Sequence, residues 1–275
     1  MPGEGSLKQM CEANVYIIRS GKEELLMEKV DRVVPGEDHM IVMDNVFGER
    51  KIVKAKIREM ELVHHRIVLD EIDEEPRARE WEIWLEPATD HGHFHAGEEV
   101  RISLLKGYNM QADKEAGHLH AEVFSVRDGV ERAVDVHHHH GDPVIALQNE
   151  DDGLITVYAR ESGERELYAK VIVEIGHHHH HGIHPVGLPL EIVPREYSHV
   201  HLGENYEVQV LKDGQPLAGV EVLATYSTSK NREYPFRLTT DENGRARVFL
   251  TARGNWMFSV KDEDITSTYT LIKSF

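Results

Sequence analysis

A single cysteine, Cys11, stands among 275 residues. With no second thiol an internal disulfide framework is excluded, and a reducing, cytoplasmic setting is expected. No apolar run approaches the roughly 20 residues that a membrane helix requires, so membrane insertion is not expected. The stretch from Met1 to Met10 lacks the apolar centre of a secretory signal. Only 31 Lys+Arg stand against 49 Asp+Glu, a net charge of −18. That balance excludes bulk electrostatic binding of nucleic acid or anionic lipid. His-Glu-x-x-His, Gly-x-Ser-x-Gly, a Walker loop and a dinucleotide fingerprint are all missing, so no catalytic residue is expected. A zinc hydrolase assembled from His-x-His pairs is the remaining enzymatic alternative.

What the chain has in excess is histidine, 20 residues in all. The negative charge is distributed unevenly too. Residues 11–70 hold ten basic and twelve acidic residues, so nearly all the excess acid lies further on. The step falls at Asp70-Glu-Ile-Asp-Glu-Glu-Pro76, which predicts a solvated linker over residues 71–79 because like charges repel.

Short apolar runs separated by Gly, Asp and Asn predict an all-β protein in three parts. Asn14–Ile18, Leu26–Val30, Met40–Met43, Lys51–Ile57 and Arg66–Leu69 give five strands and a small SH3/Sm-like β-barrel over residues 10–70. A helical period fits Glu23–Val30 only weakly. Trp81–Leu85, Glu99–Leu104, His120–Val126, Val144–Leu147, Leu154–Tyr158 and Leu167–Ile175 predict a histidine-rich β-sandwich over 80–185. Tyr206–Leu211, Val220–Ala224, Arg245–Leu250 and Trp256–Val260 predict a second, transthyretin- or Ig-like sandwich over 186–275.

The histidines come in two runs and several pairs. His137, His138, His139 and His140 precede Gly141-Asp-Pro143. His177, His178, His179, His180 and His181 precede Gly182, with His184 close behind. Those turn signals place both runs in loops. Neutral imidazole suits Ni(II), Cu(II) and Zn(II), and a flexible run offers several donors to one ion. An unselective metal sponge or an incidental polar loop is the plainer account of the same residues. His91, His93 and His95 are spaced to share one face of a strand, and Gly92 permits the bend needed to converge on an ion. His118 with His120, and His199 with His201, repeat that spacing. His64 and His65 read as ordinary surface histidines. For Cys11 a small buried hydrophobe is the ordinary reading. Were Met10 the start of translation, the thiolate, a terminal amine and a backbone amide could give the square-planar field that Ni(II) prefers.

Met10-Cys-Glu-Ala-Asn-Val-Tyr-Ile17, Leu26–Val30, Ile41-Val-Met-Asp-Asn-Val-Phe-Gly-Glu49 and Ile57–Leu69 resemble the CooT family of small nickel-binding proteins. The resemblance implies a small barrel that pairs into a homodimer, with Cys11 as nickel ligand. It departs from the family in carrying nine residues before Met10, which would remove a terminal-amine ligand. Residues 80–275 resemble the DUF4198 or NikM-like family associated with nickel and cobalt uptake. That likeness rests on Trp84-Leu-Glu-Pro87, Ala169-Lys170, Val186–Pro194, Gln209–Val220, Thr239–Gly244 and Gly254-Asn-Trp256. Together the two resemblances imply a nickel store, buffer or metallochaperone holding Ni(II), with Co(II) or Zn(II) as alternatives. A nickel-enzyme maturation protein or a nickel transporter is the implied partner. The competing expectation is a non-catalytic interaction module in which Trp81, Trp84 and Trp256 supply stacking surfaces.

Overall fold

The computed structural model describes residues 12–19, 22–36, 39–72, 81–89, 94–139, 142–148, 152–176, 182–196, 201–229, 231 and 233–272. The chain divides into two compact units, Met1–Arg77 and Ala78–Phe275. Among the described residues the helical segments are short 3-10 turns, including Leu62–His64 and Lys114–Ala116. No helix there is long and apolar enough to cross a membrane.

Alternating apolar and polar residues build the first unit. Its strands are β1 (Ala13–Arg19), β2 (Lys22–Pro35), β3 (Met40–Asn45), β4 (Arg50–Glu61) and β5 (Arg66–Glu71). They close into a barrel in that order. Closure is a parallel pairing of β1 with β5, running from Asn14 opposite Arg66 to Ile18 opposite Asp70. Successive side chains point to opposite faces, so Val15, Ile17, Met27, Val30, Ile41, Met43, Ala55, Ile67 and Leu69 fill the interior. β2 and β4 reach 14 and 12 residues, longer than their apolar cores suggest. Register shifts along both let them bend around the barrel.

The second unit opens with β6 (Glu82–Pro87), β7 (Glu99–Tyr108), β8 (Gln111–Ala112), β9 (Glu122–Arg127), β10 (Val130–Val134) and β11 (Val136–His139). It continues with β12 (Asp142–Gln148), β13 (Gly153–Glu161), β14 (Glu166–Ile175), β15 (Leu190–Pro194), β16 (Asn205–Lys212) and β17 (Gln215–Pro216). β18 (Glu221–Tyr226), β19 (Phe236–Thr239), β20 (Arg245–Phe249), β21 (Trp256–Asp262) and β22 (Ile265–Leu271) complete it. Eight strands form one long sheet in the order β10-β9-β13-β14-β22-β21-β18-β19. A second sheet runs β11-β12-β7-β6 with β8 beside β7, and a third runs β15-β16-β17 with β20 beside β16.

The sequence divides this region into two sandwiches near residue 185, yet the long sheet continues across that point. β14 pairs in parallel with β22, from Glu166 opposite Ile265 to Val171 opposite Thr270. Ala169, Val171, Val173 and Ile175 of β14 face a core shared with Ile83, Leu85 and Ile102. Ile172, with Tyr269 and Leu271 of β22, faces another core shared with Leu190, Val208 and Val248. The β6/β7 sheet therefore covers one face of the long sheet and the β15/β16 sheet the other. Covered on both sides, β14 and β22 are buried along nearly their whole length rather than at alternate positions.

The first histidine run corrects a sequence expectation. His137, His138 and His139 lie in β11, opposite Val144, Pro143 and Asp142, not in a loop. β12 leaves an open backbone edge there. Pairing satisfies the main chain of the run, and an edge strand tolerates polar side chains facing solvent.

Candidate metal centres

Cys11 lies outside the described residues, as do His91, His93, His140, His177, His178, His179, His180, His181 and His199. The chain next to Cys11 is well anchored. Asn14 N–H donates to the His65 carbonyl at 2.7 Å, and the His65 ring Nδ1 lies 2.9 Å from the Glu12 carbonyl oxygen. Asn14 Oδ1 in turn accepts from Lys29 N–H at 3.2 Å. His64 is exposed, its Nδ1 3.8 Å from Glu61.

In the second unit, His95 follows Phe94, which is 2% exposed and bridges Ile175 beside the end of β14. Phe94 N–H donates to Glu174 O at 2.8 Å, and Gly176 N–H to Phe94 O at 2.7 Å. Gly176 has φ +72, a conformation that favours glycine, and the Asp152 carboxylate lies where a Cβ would stand. The stretch carrying His95 is thereby bound to the residue that immediately precedes the second run in sequence. His95 and His201 are exposed and share a local motif. Each donates its backbone N–H at 3.0 Å to a carboxylate three residues on, Glu98 and Glu204 respectively. His118 and His184 are exposed as well.

His120 and His138 come together at one cavity of about 300 Å³, also lined by Leu104, Leu119, Ala121, Glu122, Val136 and Pro143. His120 N–H donates to Glu161 Oε1 at 3.1 Å. The other Glu161 oxygen pairs with Lys106 Nζ at 2.7 Å. Among the described residues no three His, Cys, Asp or Glu side chains converge as a metal cluster. The structure thus brings His120 and His138 to one cavity and leaves His95, His118, His137, His184 and His201 at separate surface positions. Exposed imidazoles of this kind suit loose, exchangeable uptake of a divalent ion rather than a closed structural site.

The charged groups buried in the second unit are already satisfied. Lys170 Nζ donates to Glu191 Oε1 at 2.6 Å, with both side chains at most 2% exposed. Glu191 also accepts from the N–H groups of Val186, Gly187 and Leu188 at 2.9, 3.0 and 3.2 Å. Burial pushes the Lys170 amine below its ordinary pKa, and the Glu191 charge opposes that push. Glu82 accepts from Asn109 N–H at 3.1 Å, and from Tyr234 Oη and Ser259 Oγ at 2.5 Å each. Burial, and then Glu82, drive the Tyr234 hydroxyl well above its usual range. These carboxylates hold layers together and offer no open position to a substrate. Trp84 and Trp256 are 1% and 0% exposed, which overturns the expectation that they form stacking surfaces.

Residues 10–70 match the family model described as CO dehydrogenase accessory protein CooT. Residues 136–264 match the domain of unknown function DUF4198, a range that begins after the Trp84-Leu-Glu-Pro87 motif. A crystallised chain described as CooT from Carboxydothermus hydrogenoformans is 48% identical, the match covering 23% of this chain and 100% of that one with a TM-score of 0.22. Murine CEACAM1b is 12% identical over 70% of this chain and 98% of its own, with a TM-score of 0.21. Trypsin-activated alpha-2-macroglobulin from Escherichia coli is 12% identical over 98% of this chain and 20% of its own, with a TM-score of 0.28. Neither of these last two likenesses bears on function. No curated protein matches the chain. With nearly half its positions identical along the whole length of a CooT chain, the protein belongs to the CooT family through residues 10–70.

Proposed function

We propose that the chain takes up Ni(II) as cargo and stores, buffers or delivers it in the maturation of CO dehydrogenase, without catalysing a reaction itself. The observation that carries this reading is the 48% identity to CooT across that chain's full length, with Cys11 in the Met-Cys opening of the matched segment. In this reading the Cys11 thiolate holds the tightly bound ion. His91, His93, His95, His118, His120, His137–His140, His177–His181, His184, His199 and His201 add exchangeable capacity. Loosely supported imidazoles release an ion quickly, which is what a delivery role needs. Cu(II) outcompetes Ni(II) at such donors, and Co(II) or Zn(II) can occupy them, so cellular supply contributes to selectivity.

Pairing of two barrels into a homodimer is part of the proposal. It is supported by large apolar side chains left exposed on the barrel, including Phe47 at 72% and Val63 at 87%. The working compartment is the cytoplasm, and the recipient is a nickel-enzyme maturation protein or a nickel transporter. Equilibrium dialysis of the full chain against NiCl2, with and without Cys11→Ala, tests the reading. The native chain is expected to bind several Ni(II) and to show a thiolate-to-nickel charge-transfer band that the variant lacks. Equal uptake and equal spectra in the two chains would refute it.

A further inference from the structure

The cavity that His120 and His138 share lies where the chain crosses between sheets. β10 ends at Val134 in the long sheet, and β11 begins at Val136 in the second sheet. His120 leads into β9 of the long sheet, and His138 stands in β11, so the two imidazoles reach the cavity from different sheets. Both backbones are pinned. His120 N–H donates to Glu161 Oε1 at 3.1 Å. Glu161, in β13 of the long sheet, pairs with Lys106 of β7 at 2.7 Å, and that ion pair already spans the two sheets. The β11–β12 ladder fixes His138 opposite Pro143. Residues two apart share a strand face, so His138 lies on the side of β11 that carries Val136, another lining residue. Leu104, Leu119, Ala121 and Val136 belong to or pack against the core between the sheets and give the cavity apolar walls. Glu122, which also lines it, is held by Arg160 Nη2 at 2.6 Å.

We propose that His120 and His138 ligate a single divalent cation, which ties the long sheet to the second sheet at this cavity. The proposal deepens the nickel reading above and rests on it for the identity of the ion. It singles out one pair among the exchangeable histidines and gives its occupancy a structural consequence. Rings carried on two fixed backbones need only side-chain rotation to meet, so little further order is lost on binding. A pair of neutral imidazoles suits Ni(II) and the neighbouring borderline ions. Water fills the remaining positions, and an open sphere of that kind lets the ion leave again. An ion held from both sheets recognises the folded unit and not the unfolded chain, so its binding stabilises the unit.

The test follows thermal unfolding of the full chain by tryptophan fluorescence, in EDTA and in saturating NiCl2. Trp81, Trp84 and Trp256 all lie in the second unit, so the barrel is silent in this signal. The native midpoint is expected about 5 °C higher with Ni(II) than in EDTA. His120→Gln and His138→Gln remove one imidazole each at an exposed position. Measured against its own midpoint in EDTA, each variant should lose most of the rise. The double variant should lose no more than either single one, because one ion needs both rings. A full rise in either single variant, or partial losses that add in the double, would overturn the proposal. So would a native chain that binds Ni(II) in dialysis yet melts at its EDTA midpoint. Failure of the nickel reading looks different: dialysis then finds no Ni(II) on the native chain at all, and the proposal falls with it.

Discussion

In the barrel every strand has one covered face, and its donors are few. In the second unit the central strands are covered on both faces, and the donors are many and lie at the periphery. The barrel carries nearly balanced charge with Cys11, His39, His64 and His65, whereas the second unit holds all the other histidines and most of the excess acid. Scarce donors beside a pinned backbone favour one defined site. Abundant donors on edge strands and turns favour capacity. Under the proposed nickel reading, the barrel would supply selectivity and the second unit storage, with the buried Lys170–Glu191 pair part of the frame that carries the second unit's histidines.

That contrast can be broken at several points. The largest expected effect is on the frame. Glu191→Ala leaves Lys170 buried without its partner and three N–H groups without an acceptor, which should cost about 3–5 kcal/mol. Urea unfolding of the second unit at the native midpoint would remove the ion pair from the account. Next comes capacity. Replacing His137–His140 and His177–His181 by serine should lower the number of Ni(II) bound in dialysis while leaving the midpoint of the thiolate band in place. A shift of that midpoint would show that the two regions share a site.

A smaller effect separates the barrel's electrostatics from its metal chemistry. Burial pushes the Asp44 carboxyl upward, but hydrogen bonds from Arg50 at 2.6 and 3.0 Å and from Arg32 at 3.2 Å outweigh it, leaving its pKa below the ordinary value. A carboxyl lowered in the folded state stabilises the fold above its unfolded pKa, near 3.9, and loses that contribution as pH falls through the folded value. Asp44→Asn should therefore cost about 1 kcal/mol at neutral pH. Thermal unfolding should show the gap between variant and native closing below about pH 4. A gap that stays constant with pH would mean that the ion pairs contribute nothing.

The barrel was legible because its strands obey a two-residue period: Val15, Ile17, Ile41, Met43, Ile67 and Leu69 all stand at inward positions of recognisable runs. The second unit was legible strand by strand but not in its assembly. β14 and β22 bury both faces, so their sequences do not announce which sheet covers which side, and the β14–β22 pairing joins residues about a hundred positions apart. The ion-pair partners Lys170 and Glu191 were visible as motifs but not as a pair. Among the metal candidates, spacing picked out the runs and the His-x-His pairs. It missed the meeting of His120 with His138, which depends on two segments facing one cavity. Nor does any local pattern encode the contact of the His65 ring with the Glu12 carbonyl, which depends on the parallel strand closure.

X-ray absorption at the nickel edge, on the full chain loaded with one equivalent of Ni(II), tests the central claim most directly. The account predicts a sulfur scatterer in the first coordination sphere that Cys11→Ala removes. A sphere of nitrogen and oxygen alone, identical in the two chains, would contradict it.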